Sequence, residues 1–196
     1  MSAAQSWKLR VLKPSDLHAT ASVLAAAFHD NPTYCYMHPR VLVRAHDLTC
    51  FFLRNLSWRV QLNLTWVACD GDGQVVGTVT LEPPGGVPHS TAELLRHWVL
   101  PTLRHQGART AARIARTDAT FARHYRALSG DRDYWHVHAV AVEPGLQGRG
   151  VGTSLLAHAL AQLDRLRGSH HAPVLLSTQR ERNLQLYRKF GFELRN

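Results

Sequence analysis

Residues 134–153 read YWHVHAVAVEPGLQGRGVGT. The first nine are apolar, β-branched and aromatic, with two histidines set among them, which is the composition of a strand. A strand's period of two puts His136, His138, Val140 and Val142 on one face. Glu143-Pro144-Gly145 ends the strand, and Gln147-Gly148-Arg149-Gly150-Val151-Gly152-Thr153 leads into a run with Val151, Leu155, Ala159, Leu163 and Leu166 on one helical face. A glycine-rich turn between strand and helix lets a ligand approach the backbone, and the helix's first N–H groups lack intrahelical partners. Such a terminus favours an anion, and Arg149 adds charge at its rim.

Two nucleotide-binding patterns are weakened by the spacing. A Walker loop requires Lys after its second glycine, but Val151 follows Gly150. The dinucleotide fingerprint G-x-G-x-x-G is not met by glycines two apart at 148, 150 and 152, and the turn follows a late strand rather than the first.

Working outward, residues 7–12 read as a strand, and Ser15 and Asp16 as a cap for a helix over 17–28 that Pro32 closes off. A helix over 40–60 is predicted with Leu42, Ala45, Thr49, Phe52 and Leu56 on its apolar face. Residues 64–69 and 75–81 form a hairpin about Asp70-Gly71-Asp72-Gly73, followed by the loop PPGGVP at 83–88. Residues 92–128 are a helical insert broken by Pro101 and Gly107, with Ile114, Phe121, Tyr125 and Leu128 as an apolar stripe and arginines elsewhere. A basic amphipathic helix can touch a membrane or nucleic acid; the preferred reading is a solvated face over a buried stripe. A strand over 173–177, a helix over 182–190 capped by Gly191, and a last strand from Phe192 complete an α/β domain with a mixed sheet.

The 196 residues suit one domain, and 45% apolar content predicts a packed core. No membrane span and no secretory signal are expected. The three cysteines, Cys35, Cys50 and Cys69, have neither metal nor disulfide spacing, which fits a reducing cytoplasm. The formal charge of +9 favours an anionic partner such as a polyphosphate cofactor, a membrane surface or nucleic acid, though an arginine-rich composition has the same effect without function.

The strand, the proline and Gln147-x-x-Gly150-x-Gly152, followed at one helix and one strand by Asn183-x-x-x-Tyr187-x-x-x-Gly191-Phe192, resemble the signature of the GCN5-related N-acetyltransferase (GNAT) superfamily. The resemblance implies a single N-acetyltransferase domain over residues 1–196, with the insert at about 90–129 and the motif core at about 134–192. Its fold is α/β: a mixed, mostly antiparallel twisted sheet flanked by helices and splayed at the strand that meets acetyl-CoA. It implies acetyl-CoA (coenzyme A) as cofactor. The pyrophosphate would lie on Gln147, Gly148, Arg149, Gly150, Val151, Gly152 and Thr153, and the pantetheine arm along Val140, Ala141 and Val142, with the Val140 N–H on the developing oxyanion. Asn183 would bind the arm while starting its helix, and Tyr187 would protonate the leaving thiolate.

His136-Val137-His138-Ala139-Val140-Ala141-Val142 is similar to the H-x-H-V-L-A-V strand of the serotonin (arylalkylamine) N-acetyltransferases. That similarity implies a histidine relay for the amine proton, with either His136 or His138 as the base. The stretch Ala27-Phe28-His29-Asp30-Asn31-Pro32 looks more like the puromycin-acetyltransferase branch. Phe28, Asp30 and Tyr34 are the acceptor candidates, Asp30 for a cationic amine and Tyr34 for stacking.

The leading expectation is acetyl transfer to the primary amine of a small molecule by direct attack, since no cysteine lies in the motif region to carry a covalent intermediate. No metal is implied. A protein lysine or N-terminal acetyltransferase, and a non-catalytic acyl-CoA or nucleic-acid binding module, stand as alternatives. Nucleic acid is disfavoured, and a homodimer is compatible with the sequence.

Overall fold

Strand β4 (Trp135–Val142) organises the fold around itself. It follows β1 (Lys8–Val11), β2 (Thr65–Cys69) and β3 (Val75–Glu82), and precedes β5 (Val174–Leu175). The computed structural model describes residues 7–87, 90–130, 132–167 and 172–195; Pro88, the end of the predicted PPGGVP loop, lies outside them. The five strands form one sheet in chain order, antiparallel from β1 to β4 and parallel between β4 and β5. The mixed, mostly antiparallel sheet matches expectation. The β2–β3 hairpin forms where the Asp-Gly signal placed it: the Asp70 carboxylate accepts from the Asp72 and Gln74 amides, and Gly73 takes φ 80°.

Helices cover both faces. One side carries α1 (Leu17–Phe28), α2 (Pro32–Met37) and α3 (Val41–Arg59), and its core joins Leu24, Leu48, Phe52, Val67, Ala139 and Ala141. The other carries α7 (Val151–Arg167), with Leu155, Leu156 and Ala159 packed on Val79, Val137, Val140 and Val142. The insert adds α4 (Thr91–Leu94), a π-turn over Leu95–Val99, α5 (Leu100–Gln106) and α6 (Ala108–Ser129). Last comes α8 (Leu184–Arg188). No described helix is long and apolar enough to cross a membrane.

Several expectations give way to packing. Pro32 does not only close α1; it opens α2, because its fixed φ suits a first helical position and Asn31 caps the Thr33 amide. The predicted stripe on α3 holds at Phe52 and Leu56, which are buried, but not at its start: Leu42 is fully exposed, and the buried seam also takes in Arg44, Asp47, Leu48, Phe51 and Asn55. Buried arginine and asparagine on that seam defeat an apolar-only reading. In the insert Gly107 makes the break, with φ 85°, whereas at Pro101 the chain stays helical and the backbone departs from α only in the π-turn just before it, over Leu95–Val99. Leu166 is exposed rather than packed. Helix 182–190 shortens to α8, capped by Gly191 at φ 79°, and the strand expected from Phe192 is absent among the described residues.

The pairing of β3 with β4 slips at one place. Thr80 opposes Ala139, but the next residue, Leu81, opposes Val137. His138 is therefore the extra residue of a β-bulge, a feature that re-aims side chains. The bulge reverses the alternation: Val137 joins Val140 and Val142 in the α7-side core, while Ala139 and Ala141 join the other. The predicted common face of His136, His138, Val140 and Val142 is thus not formed.

Gly77 lets α7 pack tightly on the sheet. A Cβ there would lie 3.0 Å from the Ala141 carbonyl oxygen, Leu155 Cδ1 and Val151 Cγ1. Gly77→Ala should cost about 1–3 kcal/mol, the range for overpacking a filled core, read as a lowered midpoint in urea unfolding with the slope unchanged.

Candidate active site

Four elements converge on one carboxylate. Glu82, the last residue of β3, faces His136 across the sheet. Its Oε1 accepts from Arg59 Nη2 at the end of α3. Its Oε2 lies 2.9 Å from His136 Nδ1 and 3.3 Å from His138 Nδ1. The bulge makes the double contact possible, since it brings two β4 histidines to one β3 residue. His136 Nε2 lies 2.9 Å from the Tyr125 hydroxyl of α6, tying the insert to the strand. Arg59 Nη1 also donates to the Asn55 side chain at 2.6 Å and to its carbonyl at 3.1 Å.

The carboxylate assigns the protons. Glu82 accepts at both oxygens, so each histidine carries its hydrogen on Nδ1. His136 Nε2 then accepts from the Tyr125 hydroxyl. His138 Nε2 keeps its lone pair, and no hydrogen bond among the described residues engages it. Burial opposes ionisation of Glu82, but the histidine partners and the Arg59 guanidinium outweigh it and hold the carboxyl well below the usual range. Burial, reinforced by Arg59, pushes His138 down to about 4 despite the pull of Glu82, so it is neutral at physiological pH. Burial also raises the Tyr125 hydroxyl, to about 12.

The cluster opens into a cavity of about 1730 Å³. One end is walled by aromatic side chains, among them Phe28, Tyr34, Trp58, Trp98, Phe121 and Tyr134. The Phe28 and Tyr34 rings lie 5.2 Å apart between centroids with their planes tilted at 40°, and both also contact Phe52. The other end meets the loop before α7 and the start of α8, where Arg180, Arg182 and Lys189 also line it. Gly148 and Gly150 hold φ of 78° and 86°, backbone that a side chain would strain. Gln147 braces the loop: its Nε2 donates to the Val142 carbonyl at 3.1 Å and its Oε1 accepts from Arg182 at 3.3 Å.

Between these ends β4 and β5 part. Among the described residues they pair only at Trp135–Val174 and His136–Leu175, so residues 137–142 have no strand on that side. Tyr187 stands at the gap, 9% exposed, its hydroxyl pushed up by burial and its ring edge-on to Phe192. The Asn183 amide donates to Thr178 Oγ1 at 3.1 Å and makes no cap bond to α8, so its predicted service to the helix start is not met by its side chain.

The cavity brings together His136, His138, Val140, Ala141, Val142, Gln147, Gly148, Gly150, Gly152, Thr153, Asn183, Tyr187, Phe28 and Tyr34. It leaves out three predicted residues. Val151 is 1% exposed in the α7-side core. Arg149 does not line the cavity. Asp30 points outward, 77% exposed, paired with His29 at 2.7 Å and Arg44 at 3.9 Å. Arg59, Glu82, Asp118 and Tyr125 line it without having been singled out as site residues. The signal for Glu82 was its place opposite His136, which becomes visible once the hairpin register is extended by one residue.

Residues 112–194 match the family model described as an acetyltransferase (GNAT) domain. Solved structures cover nearly the whole chain. A mosquito arylalkylamine N-acetyltransferase-like 5b is 18% identical over 97% of this chain and 85% of its own, with TM-score 0.67. Drosophila melanogaster polyamine N-acetyltransferase, which catalyses formation of N-acetylagmatine, is 19% identical over 97% and 85%, at 0.60. A GNAT acetyltransferase from Brucella melitensis in complex with acetyl-CoA is 21% identical over 97% and 84%, at 0.51. At such identities the likeness is one of fold.

Proposed function

This chain has the GNAT acetyltransferase fold, and from that premise we propose that it is an N-acetyltransferase moving the acetyl group of acetyl-CoA to the primary amine of a small molecule by direct attack. The observation that carries the proposal is the two-ended cavity: basic and glycine-lined at one end, aromatic and carboxylate-bearing at the other, with the unbound histidine nitrogen between them.

Acetyl-CoA, when bound, supplies a thioester-activated acetyl group. The residues present fit it. Gly148 and Gly150 open the loop amides, the α7 N-terminus favours phosphate, and Arg180, Arg182 and Lys189 add cations. The unpaired β4 edge at residues 137–142 offers backbone groups to an amide-bearing arm. Within this reading the Val140 N–H is assigned to the acyl oxygen and Asn183 to the arm.

An amine is mostly protonated at neutral pH and must lose a proton to attack. His138 Nε2 is the acceptor for that proton. His138 Nδ1–H on Glu82 stabilises the resulting imidazolium, as a carboxylate does for a histidine base in hydrolases. His136, engaged at both nitrogens, positions Glu82 and passes its constraint to Tyr125. Tyr187, kept protonated by burial, donates to the departing thiolate. The aromatic walls and the insert enclose the acceptor end, which favours a small molecule over a protein side chain. The proposed setting is the cytoplasm.

Acetyl-CoA at one hundred times its Kd should stabilise the fold by about 2.7 kcal/mol, seen as a rise of about 5–10 °C in melting temperature for a chain of this size. Gly150→Ala should blunt that rise, because turning the loop away from its φ of 86° misdirects the amides. No rise with the unaltered protein would remove the cofactor assignment.

A further inference from the structure

Helix α6 turns one stripe into the cavity, through Ile114, Asp118, Phe121 and Tyr125. Three of these are the apolar and aromatic residues that a cavity-facing stripe calls for. Asp118 breaks the pattern. It is the single acidic residue of a helix that carries arginine at 109, 113, 116, 123 and 126. None of those arginines stands three or four residues from it; those places hold Ile114, Ala115, Phe121 and Ala122, so the helix supplies no counter-ion.

Nor does the rest of the fold. Among the described residues Asp118 has no hydrogen bond and no ion pair. The nearby cation, Arg59, is committed to Glu82 and Asn55. Crowding by protein and the charge of Glu82 push the Asp118 carboxyl up to about 6, against the pull of Arg59. Asp118 is nevertheless an exposed residue, and it lines the cavity. The acceptor end therefore carries one anionic charge in excess, set among aromatic walls that include Trp58, Trp98 and Phe121. A carboxylate beside aromatic faces is the chemistry that holds an alkylammonium or a guanidinium, by ion pairing and by cation–π attraction.

The reacting amine cannot be the intended counter-ion throughout, because it must become neutral at His138 Nε2. We infer that Asp118 binds a second cationic group on the acceptor, which makes the preferred substrate a dication: a diamine, polyamine or aminoalkyl guanidine whose far charge rests on Asp118 while its near amine meets His138. This rests on the acceptor assignment proposed above. It adds a substrate class and a specificity-determining residue that the sequence stripe concealed as part of a solvated arginine helix.

The test compares charge at fixed length, and it is read by binding as well as by turnover. Calorimetric titrations of the full chain, without acetyl-CoA, would use putrescine against butylamine and cadaverine against pentylamine. The same pairs would serve as acceptors with acetyl-CoA present. The expected result is at least tenfold tighter binding of each diamine and a KM lower by a similar factor, with Asp118→Asn erasing the preference through KM rather than kcat. Asp118→Ser, with its melting temperature checked, guards against a folding defect, and the unaltered protein's own preference needs no variant. Monoamines bound as tightly as diamines, or a diamine preference that survives in Asp118→Asn, would overturn the inference. A diamine preference in binding with no acetyl transfer would leave Asp118 standing and instead contradict the enzymatic reading.

Discussion

His138→Ala reduces kcat with a saturating amine by about 10²–10³-fold, the range for loss of a positioned general base, while acetyl-CoA still raises the melting temperature as in the unaltered protein. The direction follows from the hydrogen-bond count. His136 spends both ring nitrogens on Glu82 and Tyr125, whereas His138 spends one and keeps a lone pair open to the cavity. His136→Ala is expected to act less on the chemical step and more on stability, because it frees a Tyr125 hydroxyl and one bond of Glu82. Raising the pH should restore part of the His138→Ala rate, since a larger fraction of the amine is then already neutral. Equal losses in the two single variants would show that the histidines act as one relay rather than as base and support. A larger loss in His136→Ala would reverse the assignment.

Glu82→Ala lowers stability by about 3–5 kcal/mol, the cost of removing one member of a buried ion pair, and lowers turnover as well. Arg59 and Glu82 side chains are only 11% and 15% exposed, so the abandoned guanidinium keeps its burial without its partner. Glu82→Gln should be milder in stability yet still slow, because an amide does not stabilise the His138 imidazolium. Acid titration reports the same cluster. The folded carboxyl of Glu82 is held below its ordinary value of 4.5, so its contribution is complete above that pH and is lost progressively as pH falls from there toward the folded value. His138 is held down to about 4 from 6.5, so the unfolded chain binds a proton there before the folded one does, and stability already declines as pH falls below 6.5. Chemical denaturation between pH 4 and 8 should therefore show a steeper acid-side decline in the parent protein than in His138→Ala.

What was legible in the sequence is the half of the site made by backbone. The strand, the glycine turn and α7 have strong local signals, and their placement in the fold follows from chain order alone. The Asn183-to-Gly191 frame was visible for the same reason, down to the left-handed cap. The half made by side chains arriving from different elements was not legible. Glu82 looked like the start of a loop because the hairpin was read one residue short. The two histidines were placed on a common face with Val140 and Val142, and the bulge at His138 undid that alternation; a bulge leaves no mark on hydrophobic periodicity. Arg59 drew no notice in the sequence, where it is one arginine near the end of the helix predicted over 40–60, although it closes the ion pair on Glu82. Asp30 was the acidic residue expected near an amine, yet it pairs outward with His29, and the carboxylates that line the cavity are Glu82 and Asp118.

The measurement that bears most directly on the whole account is release of coenzyme A thiol from acetyl-CoA, followed against time with and without a small primary amine, with the acetylated amine identified by mass spectrometry. The account predicts thiol release that depends on the amine, equals the acetylated product in amount, and collapses in His138→Ala. Thiol release at the same rate without an amine, or no acetylated product from any amine while acetyl-CoA still binds, would contradict it.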